Sequence, residues 1–229
     1  MSRRLSGERL VRRSSGEDAA RYIQRLVFDG ELRPGARVPQ DDIAQALGIS
    51  RIPVREALIA LEREGWVTIE LHRGAFVNAL DEQGVRDHYD LYGIVYGLAA
   101  RRAITRAAAK LDASLPDIVT SLRSTTEPAP FLDLVNAFHG TVLAAARSPR
   151  IDVALRALSG LVPGNFFQLV PAAMDVERAG LTAIAAAAAR RDADAAAEAY
   201  QSMLQQQADN VVAVFRERGV LPIGEPVAG

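Results

Sequence analysis

The first third of the chain places apolar residues at helical spacing in three short bursts and then switches to alternation. In residues 17–29, Ala19, Ala20, Ile23, Leu26 and Val27 share one face and Gly30 supplies a stop, which predicts a helix. After the turn residues Pro34 and Gly35, Ile43, Ala44 and Leu47 mark a second helix over 40–47 that Gly48 ends. Ser50 stands at an N-cap position with Pro53 in the first turn. Val54, Ala57, Leu58 and Leu61 then define one face of a third helix running to Gly65. The connection Gly48-Ile49-Ser50 is three residues long. Two helices joined by so short a glycine-containing turn form a helix-turn-helix, whose second helix can enter the major groove of DNA. Alternating apolar runs at 66–71 and 75–80 flank His72-Arg73-Gly74, a hairpin with a basic tip that would act as a wing.

From Asp81 the pattern changes to long alanine-rich segments with few strand formers. It predicts helices over 82–109, 111–124, 130–146, 149–161, 172–190 and 192–218. Asp112-Ala113-Ser114, residues 125–130, Ser148-Pro149 and a loop over 163–171 mark the breaks. The expected fold is mainly α: an N-terminal winged helix-turn-helix of three helices and a β-hairpin, followed by an all-α bundle. The expected organisation is a flexible basic arm over 1–16, the winged domain over 17–80, the helical domain over 81–220 and a tail over 221–229.

Composition narrows the chemistry. With 49% hydrophobic residues, the 229-residue chain can bury a sizeable core in one or two domains. The longest charge-free run, 157–174, is broken by Pro163, Gly164, Asn165, Gln168 and Pro171, so no membrane span is expected. Residues 1–13 carry five arginines but no apolar stretch or cleavage site, unlike a signal peptide, which points to the cytoplasm. Cysteine is absent and the histidines are His72, His88 and His139, so thiol catalysis is excluded and a metal site would need carboxylates. Without a Gly-rich phosphate loop or a workable Ser/His/Asp arrangement, no enzyme is expected. The near-neutral charge of −1 hides a split: 13 basic and 11 acidic residues up to Asn78, then 14 and 17 beyond it. A local basic face in the first block is compatible with DNA.

Arg51 and Arg55 are four apart in the third helix and project from one face near its start, opposite the apolar face. From there the first-turn N–H groups and Ser50 can hold a phosphate while the arginines reach guanine O6 and N7. The other possibility is that the arginines pair with Glu56 or Glu62 on the surface.

The run Gly35-Ala36-Arg37-Val38, then residues 43–58 from Ile43-Ala44-Gln45 through Ile49-Ser50-Arg51-Ile52-Pro53-Val54-Arg55-Glu56-Ala57-Leu58, closing with Leu61-Glu62-Arg63-Glu64-Gly65-Trp66, closely resembles the winged-helix domain of GntR-family transcriptional regulators. The resemblance implies DNA reading by Ser50, Arg51 and Arg55, with Ile52 and Pro53 in the same first turn, and a wing tip of His72, Arg73 and Gly74 in the minor groove. Asp41 departs from it, standing where some members carry a DNA-contacting arginine. The helical block, with its Phe138-His139 pair and Asp192 junction, resembles the FadR-type (FCD) effector domain. That implies an effector-binding and dimerisation role, a homodimer on a palindromic operator of double-stranded DNA, and a divalent metal held by an aspartate and three histidines. Here only His139 is retained: Val135 stands four residues before it, and counting from Asp192 puts Leu181 and Met203 at the other positions. A metal is therefore not expected. Tyr92 and Tyr96 stand where the family often has arginine and glutamate, so the resemblance implies a pocket of Tyr92, Tyr96, Val135, His139, Leu181 and Met203 suited to a more apolar or aromatic effector. The alternative is a filled, ligand-free domain serving a constitutive DNA-binding dimer. Asn136, Asn165 and Gln168 are nearby polar residues that could orient a ligand.

Overall fold

The computed structural model describes residues 14–158, 161 and 166–221. Its first element, α1 (Ser15–Phe28), starts two residues ahead of the expected Glu17 because of a capping box. Ser14 Oγ accepts from the Glu17 N–H at 3.2 Å and the Glu17 carboxylate accepts from the Ser14 N–H at 3.3 Å. Residues 15 and 16 of the expected basic arm are thus helical, and 1–13 lie outside the described residues. α2 (Gln40–Leu47) ends at Gly48, whose φ of 64° is left-handed and turns the chain into α3 (Arg51–Arg63). Val54, Ala57, Leu58 and Leu61 of α3 are buried, in one core with Ala19, Ile23 and Val27 of α1.

The hairpin pairs β1 (Val67–Glu70) with β2 (Gly74–Val77), Val67 opposite Val77 and Glu70 opposite Gly74. Both strands are shorter than expected. Trp66 is buried ahead of β1, and Leu71, His72 and Arg73 form an exposed tip with His72 at φ 61°. Arg37 adds an isolated bridge to Phe76.

The helical block differs from expectation at its first helix. α4 (Glu82–Ser124) is interrupted at Ala107 (φ −154°, ψ 44°), within a few residues of the expected boundary between 109 and 111, while the turn residues 112–114 are helical. Its second half stays helical through Pro116 because Leu111, Leu115, Val119 and Leu122 are all buried. Asp112 is held by Arg191, which donates to Oδ1 at 2.8 Å. Tertiary packing here overrides the local turn signal.

α5 (Pro128–Ala146), α6 (Pro149–Leu158), α8 (Ala173–Ala189) and α9 (Ala193–Glu217) follow expectation closely. α7 (Phe166–Leu169) is a single turn inside the expected loop. Asp192 caps α9 by accepting from the Ala195 N–H at 3.0 Å. α5, α8 and α9 pack around α4, which is the bundle's hub. Among the described residues no helix is long and apolar enough to cross a membrane.

The last helix returns to the first. Phe215 meets Phe28 edge to face at 5.2 Å, and the Arg218 guanidinium lies 4.7 Å from the Phe28 ring centroid while donating to Asp29 Oδ1 at 2.6 Å. Gly30, at φ 75°, backs onto the Arg218 carbonyl so closely that a Cβ would stand 2.8 Å from that oxygen. Only glycine fits there. Leu221, expected in the tail, is buried at this end of the bundle, and 222–229 lie outside the described residues.

Candidate functional site

The start of α3 is open. Ser50 has an extended N-cap conformation, yet its side chain makes no capping hydrogen bond, which leaves the hydroxyl and first-turn N–H groups available. Arg51, Ile52 and Arg55 are exposed and Pro53 is half-buried. Arg51 pairs with Asp41 of α2, not with Glu56 or Glu62: its Nη2 donates to Asp41 Oδ2 at 2.7 Å and its Nε contacts Oδ1. The Glu62 carboxylate instead accepts the Ile69 N–H at 2.7 Å, bracing the hairpin on α3. Arg55 makes no ion pair among the described residues.

Across from α3, His72 and Arg73 are exposed at the tip, with Arg73 paired to Glu70 and 5.5 Å from the Phe76 ring centroid. Gly74, at φ 110°, lies under Arg37, whose Nε would be 2.8 Å from any Cβ there. Arg51, Ile52, Arg55, His72 and Gly74 line one groove of about 470 Å³ between α3 and the hairpin, adjoined in the chain by Ser50, Pro53 and Arg73. Two further exposed residues belong to this face: Arg37, against the wing, and Leu71, 82% exposed at its tip. Arg37 had a signal, a basic residue before the helix-turn-helix. An exposed leucine in an alternating run gives none.

The helical domain presents the opposite situation. Tyr96 of α4 stacks on Tyr200 of α9 at 5.1 Å and 7°, and stands 4.6 Å from the His139 ring of α5. His139 Nε2 lies 3.4 Å from Glu177 Oε1 of α8, and Nδ1 lies 3.4 Å from the Tyr200 hydroxyl. A neutral imidazole satisfies both if Nε2–H donates to the carboxylate and Nδ1 accepts from the phenol. Gln207 donates to Glu177 Oε2 at 2.8 Å and to the Ala173 carbonyl at 3.0 Å. Burial raises the Tyr92, Tyr96 and Tyr200 phenols above their ordinary range, and the Glu177 charge adds to this. Val135, Leu181 and Met203 are fully buried core, and Met203 lies against Gly180, where a Cβ would come within 2.4 Å of its Cγ.

Outside this network, Tyr92 and Tyr96 wall an open groove of about 390 Å³ shared with Leu143, Asp152, Leu155 and Arg156. Asp152 Oδ1 is buried there with no hydrogen-bond partner among the described residues.

Residues 15–77 match the family of bacterial regulatory proteins described as gntR, and residues 87–206 match the FCD domain. The chain belongs to the GntR family of bacterial transcriptional regulators, with an FCD helical domain. An uncharacterised HTH-type transcriptional regulator of Mycobacterium tuberculosis, MT0049, is 31% identical over 91% of this chain and 89% of its own. The Nta operon transcriptional regulator of Aminobacter aminovorans is 30% identical over 56% of this chain and 61% of its own. Among solved structures, Escherichia coli McbR/YncC superposes with a TM-score of 0.63 at 17% identity, covering 90% of this chain and 99% of that one. A GntR-family regulator from Rhodococcus gives 0.55 at 23% identity, over 88% and 99%. These likenesses are of fold.

As a GntR-family regulator the chain is a DNA-binding protein, and its relatives and families are regulators, not enzymes. Within its FCD domain, the α8 side chain that faces His139 is Glu177, one helical turn before the Leu181 reached by counting from Asp192. Glu177, Tyr200 and Gln207 were missed because each lies on an otherwise apolar helix face: Met174-Glu177-Leu181-Ile184 on α8 and Tyr200-Met203-Gln207-Val211 on α9. A charged residue at the core spacing is the signal that could have found Glu177. Asn136 and Gln168 are exposed, and Asn165 lies outside the described residues.

The divalent metal common in FCD domains does not fit these residues. Both His139 nitrogens and both Glu177 oxygens face protein partners, and Val135, Leu181 and Met203 offer no hard donor. Among the described residues no three of His, Cys, Asp and Glu gather to hold an ion.

Proposed function

We propose that this regulator binds a palindromic operator as a homodimer in the cytoplasm and that a small molecule in the Tyr92–Tyr96 groove modulates its affinity. The observation that carries the effector reading is the groove itself, with aromatic walls and an Asp152 oxygen that has no partner among the described residues. Its chemistry favours a metal-free effector with an apolar or aromatic body and one hydrogen-bond donor for Asp152. The dimer reading is supported by Leu91, Ile94 and Leu98, three exposed apolar residues on one face of α4.

α9 supplies the route between sites. Its Tyr200 stacks on Tyr96 of the groove wall, and its far end, Phe215 to Arg218, clamps α1 of the winged domain. The 15 residues between Tyr200 and Phe215 span about 22 Å of helix. An effector that favours one α9 position shifts the DNA-binding equilibrium by its differential affinity. The alternative, a constitutive dimer, is favoured by the tight interior around Leu181, Tyr200 and Met203.

A thermal-shift panel of arylalkyl amines, aromatic acids, acyl-CoAs and dicarboxylates, with and without EDTA, separates the readings. An effector raises Tm irrespective of EDTA and alters an operator mobility shift. Stabilisation by added zinc alone sinks the metal-free reading, and operator binding that responds to no compound establishes the constitutive one.

A further inference from the structure

We propose that Asp41 is a positioning residue for operator reading, fixing the Arg51 guanidinium so that it presents its free end to a guanine. The pair joins the first turn of α2 to the start of α3, the two helices of the DNA-reading unit. Asp41 Oδ2 accepts from Arg51 Nη2 at 2.7 Å and Oδ1 meets Nε, so the carboxylate occupies the side edge of the guanidinium. An arginine has five N–H groups in a planar fork, and a carboxylate on the Nε/Nη2 edge leaves the Nη1/Nη2 end intact. That end carries two parallel donors, the pattern matched by guanine O6 and N7. The Arg51 side chain is 70% exposed at the groove between α3 and the hairpin, so the free end can reach a base.

Two consequences follow from the charge. Asp41 sits at the N-terminal end of α2, where the helix dipole favours a carboxylate, and can hold the arginine without rearranging. Paired with it, Arg51 is nearly neutral toward phosphates and contributes to sequence discrimination more than to general attraction. Arg55, unpaired among the described residues, keeps its full charge. Of the two arginines at the start of the reading helix, one is thus aimed and the other is left to attract.

The test is a selection from randomised DNA duplexes with the full chain, run with wild type, Arg51→Ala, Asp41→Ala, Asp41→Asn and the double variant of Asp41→Ala with Arg51→Ala, followed by affinities for the selected operator and for an unrelated duplex. Circular dichroism and Tm confirm that each variant is folded. The expected result is that the guanine preference lost in Arg51→Ala is also weakened in Asp41→Ala. The variant's operator affinity falls about tenfold or more, whereas its affinity for unrelated DNA rises because a negative charge has gone. Asp41→Asn, which retains one acceptor oxygen, falls between. In the Arg51→Ala background, removing Asp41 brings no further loss of selectivity. The proposal is overturned if Asp41→Ala strengthens binding to both duplexes alike, since Asp41 would then be only a repelling charge. It is equally overturned if the selected base and the operator-to-unrelated ratio are unchanged in Asp41→Ala, or if Arg51→Ala alters no base preference.

Discussion

The two halves of the molecule treat polar side chains in opposite ways. On the winged domain Arg51, Arg55, His72 and Arg73 stand in water on short elements, each with at most one ionic partner. In the helical domain Tyr96, His139, Glu177, Tyr200 and Gln207 come from four helices, mostly buried and bonded to one another. Exposed groups with few contacts can be removed with little effect on the fold. Buried groups are part of the packing, so their removal strands the partners they leave.

The sharpest break in that comparison is Tyr200→Ala. It deletes a fully buried ring that stacks on Tyr96 and bonds His139, and we expect a loss of about 3–5 kcal/mol in stability, read as Tm or as a urea midpoint. Arg55→Ala and Arg51→Ala should do the reverse. Each should weaken operator binding by about 1–3 kcal/mol in a titrated mobility shift while leaving Tm unchanged. Unchanged affinity in both would refute α3 as the reading helix.

Alkaline pH sharpens the same contrast. The buried phenols have raised pKa values in the fold, so above their ordinary value near 10 the unfolded chain sheds protons that the native state keeps. Their contribution is fully present below pH 10 and lost as pH rises past it. Tyr96→Phe should flatten this alkaline limb of the stability curve. A smaller effect of opposite sense belongs to His88, whose pKa is lowered mainly by burial. Native His88 resists protonation, so stability should fall modestly as pH drops below about 6.5, and His88→Gln should reduce that slope.

Legibility in the sequence divides along the same boundary. The helix-turn-helix was readable because its determinants are neighbours in the chain: Gly48 for the left-handed turn, Ser50 at the extended N-cap position, and Val54, Ala57, Leu58 and Leu61 for the packed face. Even there the partner of Arg51 was not, since Asp41 lies ten residues away on another helix. The helical domain was readable as helices, the break in α4 at Ala107 falling within a few residues of the expected 109–111 boundary, although the Asp-Ala-Ser turn signal at 112–114 was outweighed by a packed apolar face. Its polar network was not readable as a network. Spacing places Glu177 and Gln207 on apolar faces but says nothing of what each face meets, and that is settled only when four helices assemble.

The clamp between Arg218 and Asp29 joins groups 189 residues apart in sequence. A ribosome delivers α1, α2 and α3 first, and domains generally fold as they emerge. The winged domain is therefore made before α9, and its attachment to the end of the helical domain is among the last contacts to form. A chain halted before Phe215 should carry the winged domain without its tie to the last helix.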